Sequence, residues 1–380
     1  MSDITKTVIG TKGCYGCGVC VKACNKQVLD IQLNSDGFFE PVAINVGNCT
    51  GCGLCKNVCS FRKDFDMFSS LIKSFAGWSN VLENRKLSSS GGVAYEIAKN
   101  ALENGYSIIC VRYNILKARA EHYVADNLSD LKASCGSKYI QSYTIDALRQ
   151  IDRHKKYVFI GTPCQAASVR LYVEQFKLSD NFIIIDFFCH GVPSYNLWKK
   201  YLKEHTIGLG QIKDISWRNK KKGWHNSYCI TIKGQNATYQ SHSQKDDFYA
   251  FFLGDACLGK ACYDSCKFKY DKSCADIRLG DFWGGKYANN QVGVCSILVF
   301  SQKGNEILTS SNVTIVELPF EEVAEGQMKS NARRPWFYNI CSKNLKSEGY
   351  RLNFMGFLLR YQKKVGSYVL KVISNISAVR

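Results

Sequence analysis

Two runs of closely spaced cysteines are the residues of this sequence with the clearest chemistry. Each run has the spacing Cys-x2-Cys-x2-Cys-x3-Cys, and together they comprise Cys14, Cys17, Cys20, Cys24, Cys49, Cys52, Cys55 and Cys59. In such a run three thiolates surround one iron–sulfur cube, and the fourth ligates the other cluster. The spacing therefore predicts two [4Fe–4S] clusters, one on Cys14, Cys17, Cys20 and Cys59, the other on Cys24, Cys49, Cys52 and Cys55.

The residue after each fourth cysteine departs from the usual pattern, in which proline follows. Asn25 and Ser60 occupy these two positions. Proline is not a ligand, so the departure removes no cluster. The alternative is zinc, but one zinc ion takes four ligands and does not require the run twice. We therefore expect residues 1–65 to form an α+β ferredoxin-like domain with two [4Fe–4S] clusters.

The chain after a linker near residues 62–70 shows alternating helix and strand patterns. Helical apolar spacing predicts helices over residues 92–104 and 165–176, and apolar runs predict strands over 107–112, 157–161 and 182–188. This alternation favours an α/β domain with a mainly parallel sheet. Sites in such sheets lie at the carboxyl ends of strands, where we expect Cys164 and Cys189.

Six short motifs occur in order between residues 75 and 330. They are Ser88-Ser89-Ser90-Gly91-Gly92, Gly136-Ser137-Lys138-Tyr139, Gly161-Thr162-Pro163-Cys164-Gln165, Phe188-Cys189-His190-Gly191-Val192-Pro193, Trp217-Arg218-Asn219-Lys220 with Gly223-Trp224, and Gly280-Asp281-Phe282-Trp283-Gly284. Together they resemble the coenzyme F420 hydrogenase/dehydrogenase beta-subunit family, which includes plant 7-hydroxymethyl chlorophyll a reductase. The resemblance implies a flavin- and cluster-binding domain over residues 75–330, with the ferredoxin-type domain fused in front.

The resemblance implies a flavin, with FAD expected rather than FMN. The residues that it marks as flavin contacts are Ser89, Ser90, Gly91, Gly92, Ser137, Lys138, Tyr139 and Asp281. The Ser89–Gly92 turn opens a predicted helix, whose N–H groups can hold a phosphate or the flavin edge. The alternative for these serines is an ordinary helix cap. No GxGxxG follows a strand, so a Rossmann nucleotide site is not supported.

The resemblance also implies a third [4Fe–4S] cluster beside the flavin. Its ligands would be Cys164, Cys189, Cys262 and Cys266. The family commonly has Cys-x2-Cys for the last pair, whereas three residues separate Cys262 from Cys266. Cys257 or Cys274 therefore stays open as a replacement for one of them.

The candidate catalytic residues are two histidines and a lysine. His190, next to Cys189, and His225, after Trp224, are candidate proton donors, and plain hydrogen bonding is the alternative for both. Lys220 begins a basic stretch flanked by Trp217 and Trp224, which predicts contact with an anionic or sugar-phosphate substrate. A solvated run of charge is the alternative for this stretch.

Residues 331–380 are predicted to form a basic helical tail. From Lys329 to Arg380, eleven Lys and Arg stand against one acid, Glu348, so +10 of the net charge of +18 lies there. From Leu358 onward, apolar residues at helical spacing (Tyr361, Val365, Val369, Val372, Ile376 and Val379) oppose basic ones. Such a helix suits an anionic membrane surface. Packing on its own domain is the alternative.

The sequence has no apolar run long enough to span a membrane and no secretory signal pattern. We therefore expect a cytoplasmic protein, and the basic tail also suits peripheral contact with the inner membrane face. The concentration of charge in the tail argues against nucleic-acid binding, which predicts a continuous basic stripe. The predicted function is a flavin-dependent iron–sulfur oxidoreductase that draws electrons from reduced ferredoxin for an organic substrate. The candidate substrate is saccharide-linked and belongs to polysaccharide biosynthesis. The alternatives are a non-catalytic electron-transfer subunit and an F420-linked oxidoreductase.

Overall fold

The computed structural model describes residues 6–62, 68–349 and 351–361 of the chain. No helix within these three ranges has the length and apolar character that a membrane span requires. Most of the predicted basic tail helix, from residue 362 onward, lies outside the described residues, so its amphipathic pattern stays a prediction.

The strands divide into a hairpin, a three-stranded sheet and a large sheet. In chain order they are β1 (Leu29–Leu33), β2 (Phe39–Ala43), β3 (Lys73–Ser79), β4 (Tyr106–Asn114), β5 (Arg119–Ala125), β6 (Ser142–Tyr143), β7 (Lys156–Ile160), β8 (Phe182–Phe187), β9 (Ile212–Arg218), β10 (Tyr228–Gly234), β11 (Thr238–His242), β12 (Ile277–Asp281), β13 (Cys295–Val299) and β14 (Val313–Glu317). The hairpin is β1–β2, and the small sheet has the order β11-β10-β9.

The helices are mostly short. They are α1 (Val19–Lys22), α2 (Leu54–Asn57), α3 (Leu82–Leu87), α4 (Val93–Glu103), α5 (Leu128–Lys132), α6 (Ile145–Arg149), α7 (Pro163–Gln175), α8 (Tyr195–His205), α9 (Asp247–Phe252), α10 (Lys260–Asp264), α11 (Gln302–Thr309), α12 (Phe320–Val323) and α13 (Tyr338–Lys346). Residues 352–361 are also helical. The predicted helices over 92–104 and 165–176 correspond to α4 and α7, and the three predicted strands to β4, β7 and β8.

The large sheet is mixed, and the prediction of a mainly parallel sheet was wrong in this respect. Its order is β14-β3-β13-β12-β8-β7-β4-β5-β6. The four strands β12, β8, β7 and β4 are parallel to one another, whereas β13, β3 and β14 pair antiparallel with their neighbours. At the other edge, β5 is antiparallel to β4 and parallel to β6. β3 pairs with β13 and β14 from the far end of the domain, and such remote pairing is not revealed by the local alternation of helices and strands.

The N-terminal domain packs tightly against the large sheet. Gln141, just before β6, donates from its side chain to the carbonyl oxygen of Tyr15 at 3.0 Å and accepts from the backbone N–H of Phe39 at 2.8 Å. Gly16 has a φ of 62°, and a Cβ at this position would collide with the carbonyl of Phe39 and with the Gln141 amide. The cysteine loop therefore lies directly on the α/β domain.

The described part of the tail, residues 351–361, packs against the α/β domain. Leu352, Met355 and Leu359 are buried, and Arg360 forms an ion pair of 2.8 Å with Asp247 at the start of α9. The opposite side of this helix exposes Phe354, Phe357, Leu358 and Tyr361. One face thus anchors the helix, and the other presents apolar side chains to solvent.

Candidate functional site: three groups of cysteines and an aromatic cluster

The first group brings the cysteines of both sequence runs together. Cys14, Cys17, Cys20 and Cys59 line one cavity, together with Tyr15 and Ser168. Cys20 lies in α1, whose first turn follows Gly18 in the left-handed conformation, and Cys59 lies beyond the end of α2. The four sulfurs predicted to share a cluster therefore face one space, although Cys59 is far from the other three in sequence.

The second group comprises the remaining cysteines of the two runs, Cys24, Cys49, Cys52 and Cys55. Cys24 and Cys52 are close enough to Cys55 that their negative charges raise its pKa, in addition to the larger effect of burial. Cys20 of the first group is also affected by Cys55. Cys52 is exposed and Cys49 is half-buried. The second group thus lies nearer to solvent, and Cys20 and Cys55 connect the two groups.

The third group assembles around the ends of two central strands. Cys164 lies in the first turn of α7, where Thr162 and Gln165 form a reciprocal cap, and Cys189 follows β8. Cys262 lies in the short helix α10, and Cys266 follows its end. Burial raises the pKa of Cys164, and the charges of Cys189, Cys262 and Cys266 raise it further. The structure thus brings these four sulfurs together.

The two alternative cysteines have different surroundings. Burial raises the pKa of Cys257, and the neighbouring charges are those of Cys341 and Asp255. Burial likewise raises the pKa of Cys274 to about 12, and its charged neighbours are Asp186, Arg170, Arg278 and Glu174. Cys274 also packs in one apolar cluster with Cys164 and Cys266. The charges that act on Cys164 are those of Cys189, Cys262 and Cys266, which favours these four cysteines as the ligand set despite the longer Cys-x3-Cys spacing.

The buried thiols of these groups have raised pKa values. Burial raises the pKa of Cys14 to about 12, of Cys17 to about 11 and of Cys262 to about 12, and neighbouring cysteines add to the shift in each case. Metal ligation requires the deprotonated thiolate, which the charge of iron would favour. In the described ranges no group of three or more His, Cys, Asp or Glu is arranged to hold a single metal ion.

One lysine and a buried ion pair support the third group. Lys269, which is buried, donates to the backbone carbonyls of Cys189 and His190 at 2.6 and 3.0 Å. On β8 and β12, Asp186 accepts two hydrogen bonds of 2.7 Å from Arg278, and both side chains are fully buried. The Arg278–Asp186 pair thus fixes the strand that leads directly to Cys189.

Tyr15 lies between the first and third groups. Burial raises its pKa, and the charges of Cys164, Cys266, Cys262 and Cys59 raise it further. Its hydroxyl donates to the carbonyl of Ser265, and its ring has edge contacts with Phe61 and Phe268 at centroid distances of 5.2 and 5.8 Å. Sequence reasoning missed this residue, because its neighbours come from distant segments.

The predicted flavin-contacting stretches meet each other. Ser89 accepts hydrogen bonds from the backbone N–H and the hydroxyl of Ser137 at 2.8 and 2.9 Å. The N-terminus of α4 is less open than expected: the N–H of Gly91 donates to Cys295 Sγ at 3.2 Å, and Val93 also bonds to this sulfur. Lys138 donates to the carbonyls of Ser134 and Cys135. The two stretches are therefore adjacent. However, hydrogen bonds within the protein already use several of the N–H, hydroxyl and amine donors that were expected to contact the flavin.

An aromatic cluster runs from these stretches toward the third cysteine group. Tyr139 stacks on Tyr228 at 6.0 Å and contacts Phe252 at 5.2 Å, and Phe252 contacts His190 at 4.9 Å. Tyr228 also stacks on Trp283, which belongs to the last motif. Because His190 follows Cys189, this cluster links the predicted flavin contacts to the third group. Tyr228 and Phe252 lie outside the six motifs, so the sequence alone did not indicate that they belong to this cluster.

The candidate catalytic residues have protein partners. His190 Nε2 lies 2.8 Å from Asp255 Oδ1, and His225 Nε2 lies 3.4 Å from the carbonyl of Tyr287. Lys220 donates to the carbonyls of Arg85, Ser90 and Val292 at 2.6–2.8 Å, and burial lowers its pKa to about 8. Its amine thus holds the serine turn in place.

Asp281 and the two tryptophans of the basic stretch belong to the protein interior. Asp281 forms an ion pair of 2.6 Å with Arg218 and accepts from the Trp224 indole at 2.7 Å. Trp217 and Trp224 are fully buried, so they do not flank a substrate at the surface. Lys221 and Lys222 are the exposed members of this stretch.

The fold and the cysteine groups define an iron–sulfur electron-transfer protein, and comparison with known families agrees. A 4Fe-4S dicluster domain matches residues 13–62. The coenzyme F420 hydrogenase/dehydrogenase beta-subunit family matches through its N-terminal part at residues 74–149 and its C-terminal part at residues 154–319. The chain belongs to this family, which confirms the resemblance seen in its six motifs.

One solved structure is similar over most of the chain. It is the xenon-derivatized F420-reducing [NiFe] hydrogenase complex from Methanosarcina barkeri, with 17% sequence identity, a TM-score of 0.48, and coverage of 80% of this chain and 94% of that one. No curated protein matches the sequence.

Proposed function

We propose that the protein is a flavin-dependent iron–sulfur oxidoreductase. The three cysteine groups would hold [4Fe–4S] clusters that could carry electrons from reduced ferredoxin to a flavin for reduction of an organic substrate; oxidation of the substrate would run the same path in reverse, with ferredoxin as the acceptor. The observation that carries the proposal is the position of Tyr15, whose side chain is influenced by Cys59 of the first group and by Cys164, Cys262 and Cys266 of the third. Two four-cysteine groups this close together form a path for single electrons.

The ligand sets follow from the three groups of sulfurs. We assign Cys14, Cys17, Cys20 and Cys59 to the first cluster, Cys24, Cys49, Cys52 and Cys55 to the second, and Cys164, Cys189, Cys262 and Cys266 to the third. The second cluster is the entry point, because Cys52 is exposed. The order second, first, third then leads from solvent into the α/β domain.

The proposed flavin is FAD, beside the aromatic cluster. Bound there, it would supply the exchange between single electrons and a two-electron substrate. Ser89, Ser137 and Tyr139 are its proposed contacts, because they are half-buried and adjacent. The chain from Tyr139 through Phe252 to His190 would separate it from the third cluster. His190, paired with Asp255, is the better placed of the two candidate proton donors.

A saccharide-linked, anionic substrate in polysaccharide biosynthesis remains our proposal, with Lys221 and Lys222 as the exposed charges available to it. F420-linked chemistry is the alternative within the family, and a subunit that hands electrons to a separate enzyme is the alternative outside catalysis.

Cofactor stoichiometry tests the proposed function directly. After anaerobic purification and reconstitution with iron, sulfide and FAD, we expect about twelve irons and one flavin per chain, since three clusters carry four irons each. Optical spectra before and after dithionite should show bleaching of both chromophores. About eight irons without flavin would leave only the two-cluster domain, and the protein would then be an electron carrier.

We also propose peripheral contact with an anionic membrane at the cytoplasmic face. The exposed side of residues 352–361 carries Phe354, Phe357, Leu358 and Tyr361. It lies in the segment from Lys329 that holds eleven basic residues and one acid. Aromatic side chains insert at membrane interfaces, and basic residues are attracted to anionic lipids. This combination would hold the enzyme next to a lipid-linked substrate.

Flotation with vesicles tests this contact. We expect the full chain to bind phosphatidylglycerol vesicles, and Phe357→Ser to weaken binding about tenfold, because one buried aromatic side chain contributes about 1.5–3 kcal/mol. The control is Leu116→Ser, which removes a side chain that is 94% exposed on a distant turn and should have no effect. Equal binding by all three proteins, or none by the parent chain, would contradict the proposal.

A further inference from the structure

Apolar side chains are exposed beside the second cysteine group. The consecutive residues 43–48 are all exposed, and they lead directly to Cys49. Within this segment, Ile44 and Val46 are 50% and 47% exposed. The N–H of Ile44 donates to the carbonyl of Val28 at 2.8 Å, which holds the segment against the end of the first cysteine run.

Two exposed lysines border the same group. Lys26 lies two residues after Cys24, and Lys56 directly follows Cys55. The N–H of Val28 donates to Cys24 Sγ at 3.5 Å, so the loop that carries Lys26 adjoins the exposed segment 43–48. The apolar and basic side chains together form a surface that we name the N-terminal patch, which comprises Lys26, Ile44, Val46 and Lys56.

The charge of the sequence around the patch has one sign. Residues 14–29 and 41–62 contain both cysteine runs, and they have four Lys and Arg and no Asp or Glu. No acidic residue of these two segments therefore offsets Lys26 and Lys56. A surface with charge of one sign attracts partners of the opposite sign and increases their rate of association.

We propose that the N-terminal patch is the docking surface for a small acidic ferredoxin. The inference rests on the proposed function, since it requires a cluster on the second group. In each encounter the reduced ferredoxin loses one electron and this cluster gains it. Electron-transfer complexes bury small interfaces, in which apolar contacts lie inside a polar rim. The exposed Cys52 places one sulfur of the group at this surface.

The test is surface plasmon resonance between the reconstituted full chain and an acidic 2[4Fe–4S] ferredoxin, at low and at high salt. We expect Lys26→Glu/Lys56→Glu to weaken binding about tenfold at low salt, because the reversed charges repel the acidic partner. High salt should weaken binding by the parent chain much more than by this variant, because salt screens exposed charges. Ile44→Ser should weaken binding at both salt concentrations, because it removes an apolar contact.

Two double variants are the controls. Lys26→Arg/Lys56→Arg keeps both charges and should retain the affinity of the parent chain. Lys117→Glu/Lys245→Glu reverses two lysines that are exposed on the turns after β4 and β11, and it should bind like the parent chain. Dithionite is a small reductant that needs no docking surface, so it should reduce the clusters of every variant equally.

The proposal would be overturned by a parent chain that does not bind the ferredoxin, by unchanged affinity in Lys26→Glu/Lys56→Glu, or by an equal loss in the Lys117→Glu/Lys245→Glu control. Self-association of the parent chain that Ile44→Ser abolishes, without ferredoxin binding, would identify a second copy as the occupant instead. Failure of the proposed function is recognised separately, because the parent chain would then hold about eight irons and no flavin, whether or not it binds ferredoxin.

Discussion

Replacing Cys262 or Cys266 with serine is expected to lower bound iron from about twelve to about eight atoms per chain, because one cluster loses a ligand. The two sulfurs lie with those of Cys164 and Cys189 in the third group. Dithionite added to these variants should still reduce the first two clusters. Electron delivery from ferredoxin to the flavin should be lost, because the link between the N-terminal domain and the flavin is missing.

Cys257→Ser and Cys274→Ser are the matched controls for this prediction. Both residues are buried cysteines from the same segment, and the charges that raise their pKa are those of Cys341 and Asp255 for Cys257 and of Asp186 for Cys274. Cys274 also packs against Cys164 and Cys266, so its variant is the stricter control. Each variant should retain about twelve irons. Iron loss in either control, combined with full iron in Cys262→Ser or Cys266→Ser, would show that the ligand set is wrong.

Replacing Asp186 with alanine is expected to lower the free energy of unfolding by about 3–5 kcal/mol, because it leaves Arg278 charged and unpaired in the interior. Both partners have no exposed surface, and Ser273 also donates to Asp186 at 2.8 Å. Urea unfolding followed by circular dichroism measures the effect. Because β8 leads to Cys189, the third cluster should also be released at lower urea concentration than in the parent chain.

Two comparisons test the physical origin of this loss. In the double variant Asp186→Leu/Arg278→Met no charge is left buried, so most of the stability should return. Glu348→Ala breaks an ion pair with Lys203 in which the side chains are 91% and 73% exposed, and it should have no measurable effect. A double variant as unstable as Asp186→Ala would indicate that packing, and not the unpaired charge, causes the loss.

Ser60 stands where proline usually follows the fourth cysteine, and only the fold explains this difference. Proline usually follows the fourth cysteine of such a run, and Ser60 weakened the expected turn pattern. In the structure the N–H of Ser60 donates to Ser168, and its hydroxyl to the Cys164 carbonyl. Proline has no N–H to donate. The departure therefore reflects the contact of this domain with α7, which sequence spacing does not reveal.

The sequence by itself determined the features that depend on near neighbours. The cysteine spacing predicted the dicluster domain, which the family comparison confirms. Apolar periodicity located α4, α7, β4, β7 and β8, since helices and strands bury one face with a characteristic repeat. The six ordered motifs identified the family, because each consists of consecutive residues.

Only the tertiary structure decided which distant residues meet. The mixed direction of the sheet, the meeting of Cys164 and Cys189 with Cys262 and Cys266, and the burial of Trp217 and Trp224 all depend on packing between remote segments. The sequence predicted that Lys220 contacts the substrate, whereas in the structure its amine donates to three backbone carbonyls. Buried polar groups require partners, and those partners come from wherever the fold places a free donor or acceptor.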